Sequence, residues 1–198
     1  FRYRKKPHTY DTPDILSYAA RQLVLAFECK AARMSQEAMF GKNPIEARGY
    51  EDLTKAVFQL WRFFSHCRRG YVGREVAEQA VGVVLTLDNW LILAETLRKR
   101  VLEDATKMAL EKDPEITEVD RKPIVFVAVP ELERTLSAAT EETFREALLQ
   151  ANSEEFTGWR LDDILGKLLE GEDREKRGYP YADDLGALLP WWDEMDRL

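Results

Sequence analysis

The chain has 198 residues, 45% hydrophobic and 33% charged, with a formal net charge of −7. That length suits one domain, or a core with a helical appendage, and is ample to bury a sizeable core. No segment is apolar for long enough to span a membrane, no signal peptide is visible, and 2 cysteines with 2 histidines at no zinc-like spacing exclude a zinc site, so a cytoplasmic protein without a membrane partner is expected.

In chain order, residues 1–6 are basic through Arg2, Arg4, Lys5 and Lys6 and suffice for one short strand. The chain does not open on methionine, which suggests an excised or trimmed chain. Residues 12–30 contain Pro13-Asp14 and then an apolar run from Leu23 to Phe27, closed by Glu28-Cys29-Lys30. Folded as a hairpin centred on Arg21, this stretch makes Asp14 and Glu28 direct cross-strand partners, with Cβ atoms about 5 Å apart. Strand alternation then sets Lys30 on the face of Glu28 and turns Cys29 away into packing. A cation held about 2.1 Å from oxygen bridges such a carboxylate pair. Bound there, it acidifies a water and polarises a phosphodiester, while the ammonium steadies the hydroxide or the developing charge.

The same residues also read as a helix. Thr12 is then the N-cap, Pro13 the first helical position and Asp14 a first-turn acid, with Leu16, Ala20, Leu23, Phe27 and Met34 on one face. Residues 17–22 contain no Gly or Asn to favour a hairpin turn, so local propensity supports the helix. The elements downstream favour the hairpin.

Residues 34–50, broken by Gly41, Asn43-Pro44 and Gly49, read as a short helix and a loop. An amphipathic helix over 51–64 carries Lys55 and Gln59 one turn apart on one face, and His66-Cys67 at its end reads as capping or solvated. Residues 80–87 form a buried strand, Asp88 caps a helix from Trp90 to about 112 with Leu93, Leu97, Val101 and Met108 inward, and Lys122-Pro123 introduces a second buried strand over 124–129. Strand, long helix, strand is the pattern of a parallel crossover. Pro130 starts short helices at 131–137, 140–151 and 160–169. A charged linker at 171–178 leads to an aromatic tail, Tyr179, Tyr181, Trp191 and Trp192, which either folds back on the domain or docks a protein partner.

Charge is divided along the chain: residues 1–75 carry 14 Lys and Arg against 8 Asp and Glu, net +6, and residues 76–198 carry 15 against 28, net −13. The basic part holds the carboxylates and Lys30. Arg2, Arg4, Lys5 and Lys6 precede them, and Arg62, Arg68, Arg69 and Arg74 surround the segment Gly70-Tyr71-Val72-Gly73. Both clusters are candidates for contacts to nucleic-acid phosphates.

Pro13-Asp14 with Glu28-Cys29-Lys30 resembles, letter for letter, the PD-(D/E)XK nuclease superfamily, the restriction-endonuclease-like fold. The resemblance covers roughly residues 1–130. It implies an α/β fold with a mixed sheet flanked by helices, and Mg²⁺- or Mn²⁺-dependent hydrolysis of nucleic acid, with DNA preferred to RNA because most members act on DNA. Asp14 and Glu28 become metal ligands, Lys30 the group that positions or activates water, and Gln59 and Lys55 auxiliary positioning groups from the helix that follows. Members usually carry a helix and a strand ahead of the Pro-Asp strand, of which at most a strand at 1–6 is expected here. Double-strand cutting implies a homodimer. Residues 131–198 are expected as a C-terminal helical region packed on that core. Two alternatives stand beside this reading: a catalytically inert module of the same fold that binds nucleic acid or a partner protein, and an all-helical interaction protein in which 12–34 is one helix.

Overall fold

A computed structural model describes residues 2–5, 7–31, 49–87 and 95–171. Lys6, the helix and loop expected over 34–50 apart from Gly49 and Tyr50, the Asp88 cap with Trp90 and Leu93, the charged linker beyond Gly171 and the aromatic tail lie outside the described residues.

The chain is mixed α/β, with six strands and five α-helices among the described residues. The strands are β1 (Arg2–Lys5), β2 (His8–Asp11), β3 (Ile15–Ala19), β4 (Gln22–Lys30), β5 (Val76–Thr86) and β6 (Ile124–Ala128). The helices are α1 (Tyr50–Arg68), α2 (Glu95–Lys112), α3 (Val129–Ala138), α4 (Glu141–Gln150) and α5 (Leu161–Leu168).

Residues 12–30 are not one helix, which removes the all-helical alternative. β3 and β4 pair antiparallel through a two-residue turn, Ala20-Arg21, flanked by the pair Ala19 and Gln22. Both turn residues have positive φ, 47° and 71°, as a turn matched to the right-handed twist of a hairpin requires. Neither is Gly or Asn, so the hairpin is held from outside the turn: Leu23, Val24, Leu25, Ala26 and Phe27 are all buried. Burying a large aliphatic or aromatic side chain stabilises by about 1.5–3 kcal/mol, more than the roughly 1–2 kcal/mol of a left-handed residue. Tertiary burial outweighs local propensity here.

The main sheet has the order β3-β4-β5-β6, with β4, β5 and β6 parallel and β3 an antiparallel edge. Successive crossovers of one hand, advancing in one direction, put their helices on one face. Accordingly α1 and α2 lie together on one side, in a core shared with Leu23, Ala26, Ala80, Val84, Ile124 and Phe126. The intervening strand residues Val81, Val83, Val125 and Val127 face the other way, against Phe144, Leu148, Ile164 and Leu165 of α4 and α5.

Several element bounds differ from the expected ones. β5 starts at Val76, not 80: its first four residues, half-buried Val76 and Ala77 and exposed Glu78 and Gln79, do not form an apolar run. On α2 the inward stripe is Leu97, Val101, Ala105 and Ala109, with Met108 only partly buried beside it. The strand at the amino end pairs only with β2, in a separate two-stranded sheet, and does not extend the main one. Pro130 does open α3, and Thr140 caps α4 by accepting from the Thr143 N–H. No described helix is long and apolar enough to cross a membrane.

Candidate functional site

Two register irregularities decide which side chains reach the site. Next to the turn the paired residue numbers are Tyr18 with Leu23 and Ala19 with Gln22; beyond a shift at Ser17/Tyr18 they are Ser17 with Leu25, Leu16 with Ala26 and Ile15 with Phe27. One further step sets Asp14 opposite Glu28. A second shift, between Leu23 and Leu25 against β5, puts Val24 and Leu25 in the same core cluster. Alternation resumes with Ala26 toward α1 and Phe27 away from it. Glu28 and Lys30 therefore point to the α1 side; strict alternation from Leu23 would have turned Cys29 there instead.

At the exit of β4 these groups meet. Lys30 Nζ donates to Glu28 Oε1 at 2.8 Å and to Gln59 Oε1 of α1 at 3.1 Å. The Cys29 N–H donates to Asp14 Oδ2 at 2.7 Å, so the Asp14 side chain continues the edge where β3 has ended. Asp14, Glu28, Gln59 and Arg62 line one cleft of about 410 Å³, whose further wall is Thr9, Tyr10 and Asp11 of β2.

Glu28 is buried. Burial is the main reason its carboxyl is pushed above the usual range, and the negative charge of Asp14 adds to it; the Lys30 hydrogen bond and charge, and then Arg62, pull the other way. Burial first, then Asp14 and Glu28, raises the Cys29 thiol as well, which keeps it from serving as a thiolate nucleophile. A pair of carboxylates in which one is held reluctant to ionise is a site that a cation relieves. The donors suit a hard ion: both are carboxylate oxygens, and Mg²⁺ is commonly bound by one or two carboxylates with waters and substrate phosphate filling the remaining positions. Among the described residues no third His, Cys, Asp or Glu joins them.

The other expected residues divide into those at the cleft and those held elsewhere. Lys55 is on the face of Gln59, but its ammonium pairs with Glu51 at 2.8 Å and makes no ion pair with Asp14 or Glu28 among the described residues. Arg62 is at the cleft, one turn beyond Gln59. Its guanidinium lies over the rings of Tyr10 (4.6 Å) and Phe58 (5.1 Å), and its buried Nε has no hydrogen-bond partner among the described residues. Arg74 lies over Tyr18 at 5.2 Å, and Arg4 is exposed.

The remaining basic residues are spoken for by carboxylates. Arg2 pairs with Asp11, Lys5 with Glu115 at 3.0 Å, and Arg68 with both oxygens of Asp120 at 2.7 and 2.8 Å. Arg69 holds Asp113 at 2.9 Å and also Glu115. Three acids from the loop after α2, Asp113, Glu115 and Asp120, thus offset half of the net +6 counted over residues 1–75, and the arginine that lines the cleft is Arg62.

His66 and Cys67 are not solvated caps. His66 is fully buried and Cys67 nearly so, with its thiol pushed up to about 12 by burial. The Tyr3 hydroxyl meets His66 Nδ1 at 2.8 Å and His66 Nε2 meets Asp113 Oδ2 at 3.2 Å. Burial would raise the Asp113 carboxyl, but the Arg69 hydrogen bond and charge, with Lys5 and His66, outweigh it and hold it below the usual range. Asp113 is therefore ionised and can only accept, which puts the ring proton on Nε2 and makes Tyr3 the donor to Nδ1. This chain of bonds fastens the β1–β2 hairpin, and with it the Tyr10 wall of the cleft, to α1. The sequence signals for it are the period-2 placement of Tyr3 and the position of His66 on the buried stripe of α1.

Compared with protein-family models, with curated proteins and with solved structures, the chain matches none of them.

Proposed function

We propose that the chain is a Mg²⁺- or Mn²⁺-dependent nuclease, with DNA as the preferred substrate, built on a restriction-endonuclease-like core. What supports this is that Asp14, Glu28 and Gln59 line one cleft with room for a phosphodiester, and that Lys30 is hydrogen-bonded to both Glu28 and Gln59 at the exit of β4. Asp14 and Glu28 would hold the metal. Bound there, a divalent ion supplies Lewis acidity to the phosphate and lowers the pKa of a water.

The side chains supply the rest. Gln59 fixes the Lys30 ammonium from α1 while Glu28 fixes it from β4, so the cation stays beside the carboxylates at no reorganisation cost when charge develops. Lys30 Nζ, with its remaining proton, orients a water toward phosphorus. The water oxygen bonds to phosphorus as the bridging P–O bond breaks, the water gives up a proton to solvent, and the leaving oxygen takes one up from solvent to depart as an alcohol. Arg62, with an unpartnered Nε, balances phosphate charge at the other wall.

That no three candidate ligands are grouped to hold a metal ion among the described residues favours a second reading, a module of the same fold that binds nucleic acid or a protein without cutting. Cleavage assays on single-stranded DNA, duplex DNA and RNA with Mg²⁺, Mn²⁺ or EDTA separate the two. Metal-dependent cutting is expected, falling by about 10²-fold or more in Glu28→Ala and Lys30→Ala. No cutting by the folded chain with either metal would leave the binding module.

A further inference from the structure

Two clefts meet at the Pro13-Asp14 corner. Thr12, Pro13 and Asp14 line the one that holds Glu28 and Arg62 and also a second, of about 310 Å³, formed with Tyr18 and Arg74. Through these three shared residues the two clefts adjoin as a groove at Asp14. Each half carries a guanidinium laid against aromatic carbon, Arg62 over Tyr10 and Phe58, and Arg74 over Tyr18. Neither guanidinium has an ion pair among the described residues, whereas Arg2, Arg68 and Arg69 are each held by a carboxylate. Tyr18 is 37% exposed on β3, the edge strand of the sheet.

We propose that this groove carries a single strand of nucleic acid, with a base stacked at Tyr18 and backbone phosphates held by Arg74 and Arg62 on either side of Asp14. The proposal rests on the nuclease reading for the reacting phosphate and deepens it by naming the substrate class. Uncommitted guanidiniums are the groups that take phosphates bidentately. An exposed ring under a guanidinium offers a base a π-face on one side and a cation on the other. A paired duplex keeps its bases stacked on one another and cannot use that slot, so the preference follows from the aromatic residue and not from charge alone.

The test is fluorescence anisotropy in EDTA with a labelled single-stranded oligonucleotide and with its duplex. The single strand is expected to bind more tightly. Tyr18→Ala and Arg74→Ala are each expected to weaken it about tenfold, and Arg74→Ala to lower the slope of log K against log salt by about 0.7. Arg134→Ala, which removes a guanidinium paired with Asp162 in the C-terminal helices, should leave binding unchanged, and thermal melts of all three variants verify folding. Equal affinity for duplex and single strand, or affinity unaffected by both groove variants, overturns the proposal. Cutting measured in parallel separates the two readings. Binding that depends on Tyr18 and Arg74 without metal-dependent cutting keeps the groove and removes the nuclease; cutting indifferent to both variants does the reverse.

Discussion

Glu28 is where folding and the proposed chemistry pull in opposite directions. Its carboxyl is held above its ordinary value of 4.5, chiefly by burial. Between the ordinary and the raised value the folded chain binds more proton than the unfolded one, so stability is gained as pH falls through the raised value and is lost as pH rises above it. Once ionised, Glu28 therefore weakens the fold, and a cation shared with Asp14 would restore what its ionisation costs. Glu28→Gln keeps an Oε1 acceptor for Lys30 and removes the charge. It is expected to melt no lower than the parent without metal, and about 2–4 °C higher for each 1 kcal/mol gained, while losing cleavage. Mg²⁺ should raise the melting temperature of the parent at neutral pH and not that of the variant, with the difference shrinking as acid protonates Glu28. A parent whose melting temperature ignores millimolar Mg²⁺ would remove Glu28 from a metal site.

The β3–β4 hairpin shows what a sequence can and cannot tell at the level of an element. Symmetry about Arg21 is enough to pair Asp14 with Glu28, because the outer hairpin follows that register. The turn is not symmetric: it is Ala20-Arg21 with a compensating shift at Ser17/Tyr18, and no local signal marks a bulge whose cause is the burial of Leu23 through Phe27. The His66 network was hidden for a similar reason. A helix-end histidine is ordinarily solvated, and only the docking of β1 and of the loop after α2 against α1 brings Tyr3 and Asp113 to its two nitrogens. Lys55 and Gln59 were equivalent on a helical wheel, and Glu51 one turn earlier separates them.

Packing between α1 and β5 sets where Gln59 stands. Gly82 pairs with Ala26 on one side and Ile124 on the other. A Cβ at Gly82 would come within 2.6 Å of Ile124 Cδ1 and 3.2 Å of Leu60 Cδ1, and Leu60 is next to Gln59. Gly82→Ala must therefore push the side chains of β6 and α1 outward. The expected cost is about 1–3 kcal/mol of stability, read from urea unfolding. Because the Lys30–Gln59 bond joins α1 to β4, the strand beside β5, cleavage should fall further than Gln59→Ala alone predicts for loss of one hydrogen bond only if the whole helix moves; a variant that unfolds earlier yet cuts at the parental rate would show that α1 does not depend on this contact.

At the scale of the molecule, the cleft has two walls that reach it by separate routes. β4 and α1 belong to the main core, but β1 and β2 form their own small sheet and are tied in by Tyr3, Tyr10 and the buried His66. The His66 ring has its pKa lowered from 6.5 to about 4, first by burial and then by the charge of Arg69, with Asp113 opposing. A histidine with a depressed folded pKa gives stability that is fully present above 6.5 and is lost as pH falls toward 4, because the unfolded chain takes up the proton first. The displacement corresponds to a loss on the order of 3 kcal/mol across that window. Asp113 is held below its own ordinary value of 3.8, so its contribution fails at lower pH still, whereas Glu28 and Glu131, both raised by burial, gain stability on acidification and partly mask the effect. The comparison that isolates the histidine is the pH dependence of the urea midpoint for the parent and for His66→Gln, in which the carboxyl contributions are common. The parent is expected to start more stable above pH 7 and to lose that advantage between pH 6.5 and 4. Amide exchange in β1 and β2 should quicken over the same interval, since protonating Nδ1 removes the acceptor for Tyr3 and leaves the Tyr10 wall held by its ring contacts, by Arg62 over Tyr10 and by the Lys5–Glu115 ion pair. Parallel pH curves for parent and variant would mean that the hairpin is secured by those ring contacts and not by the buried hydrogen bonds.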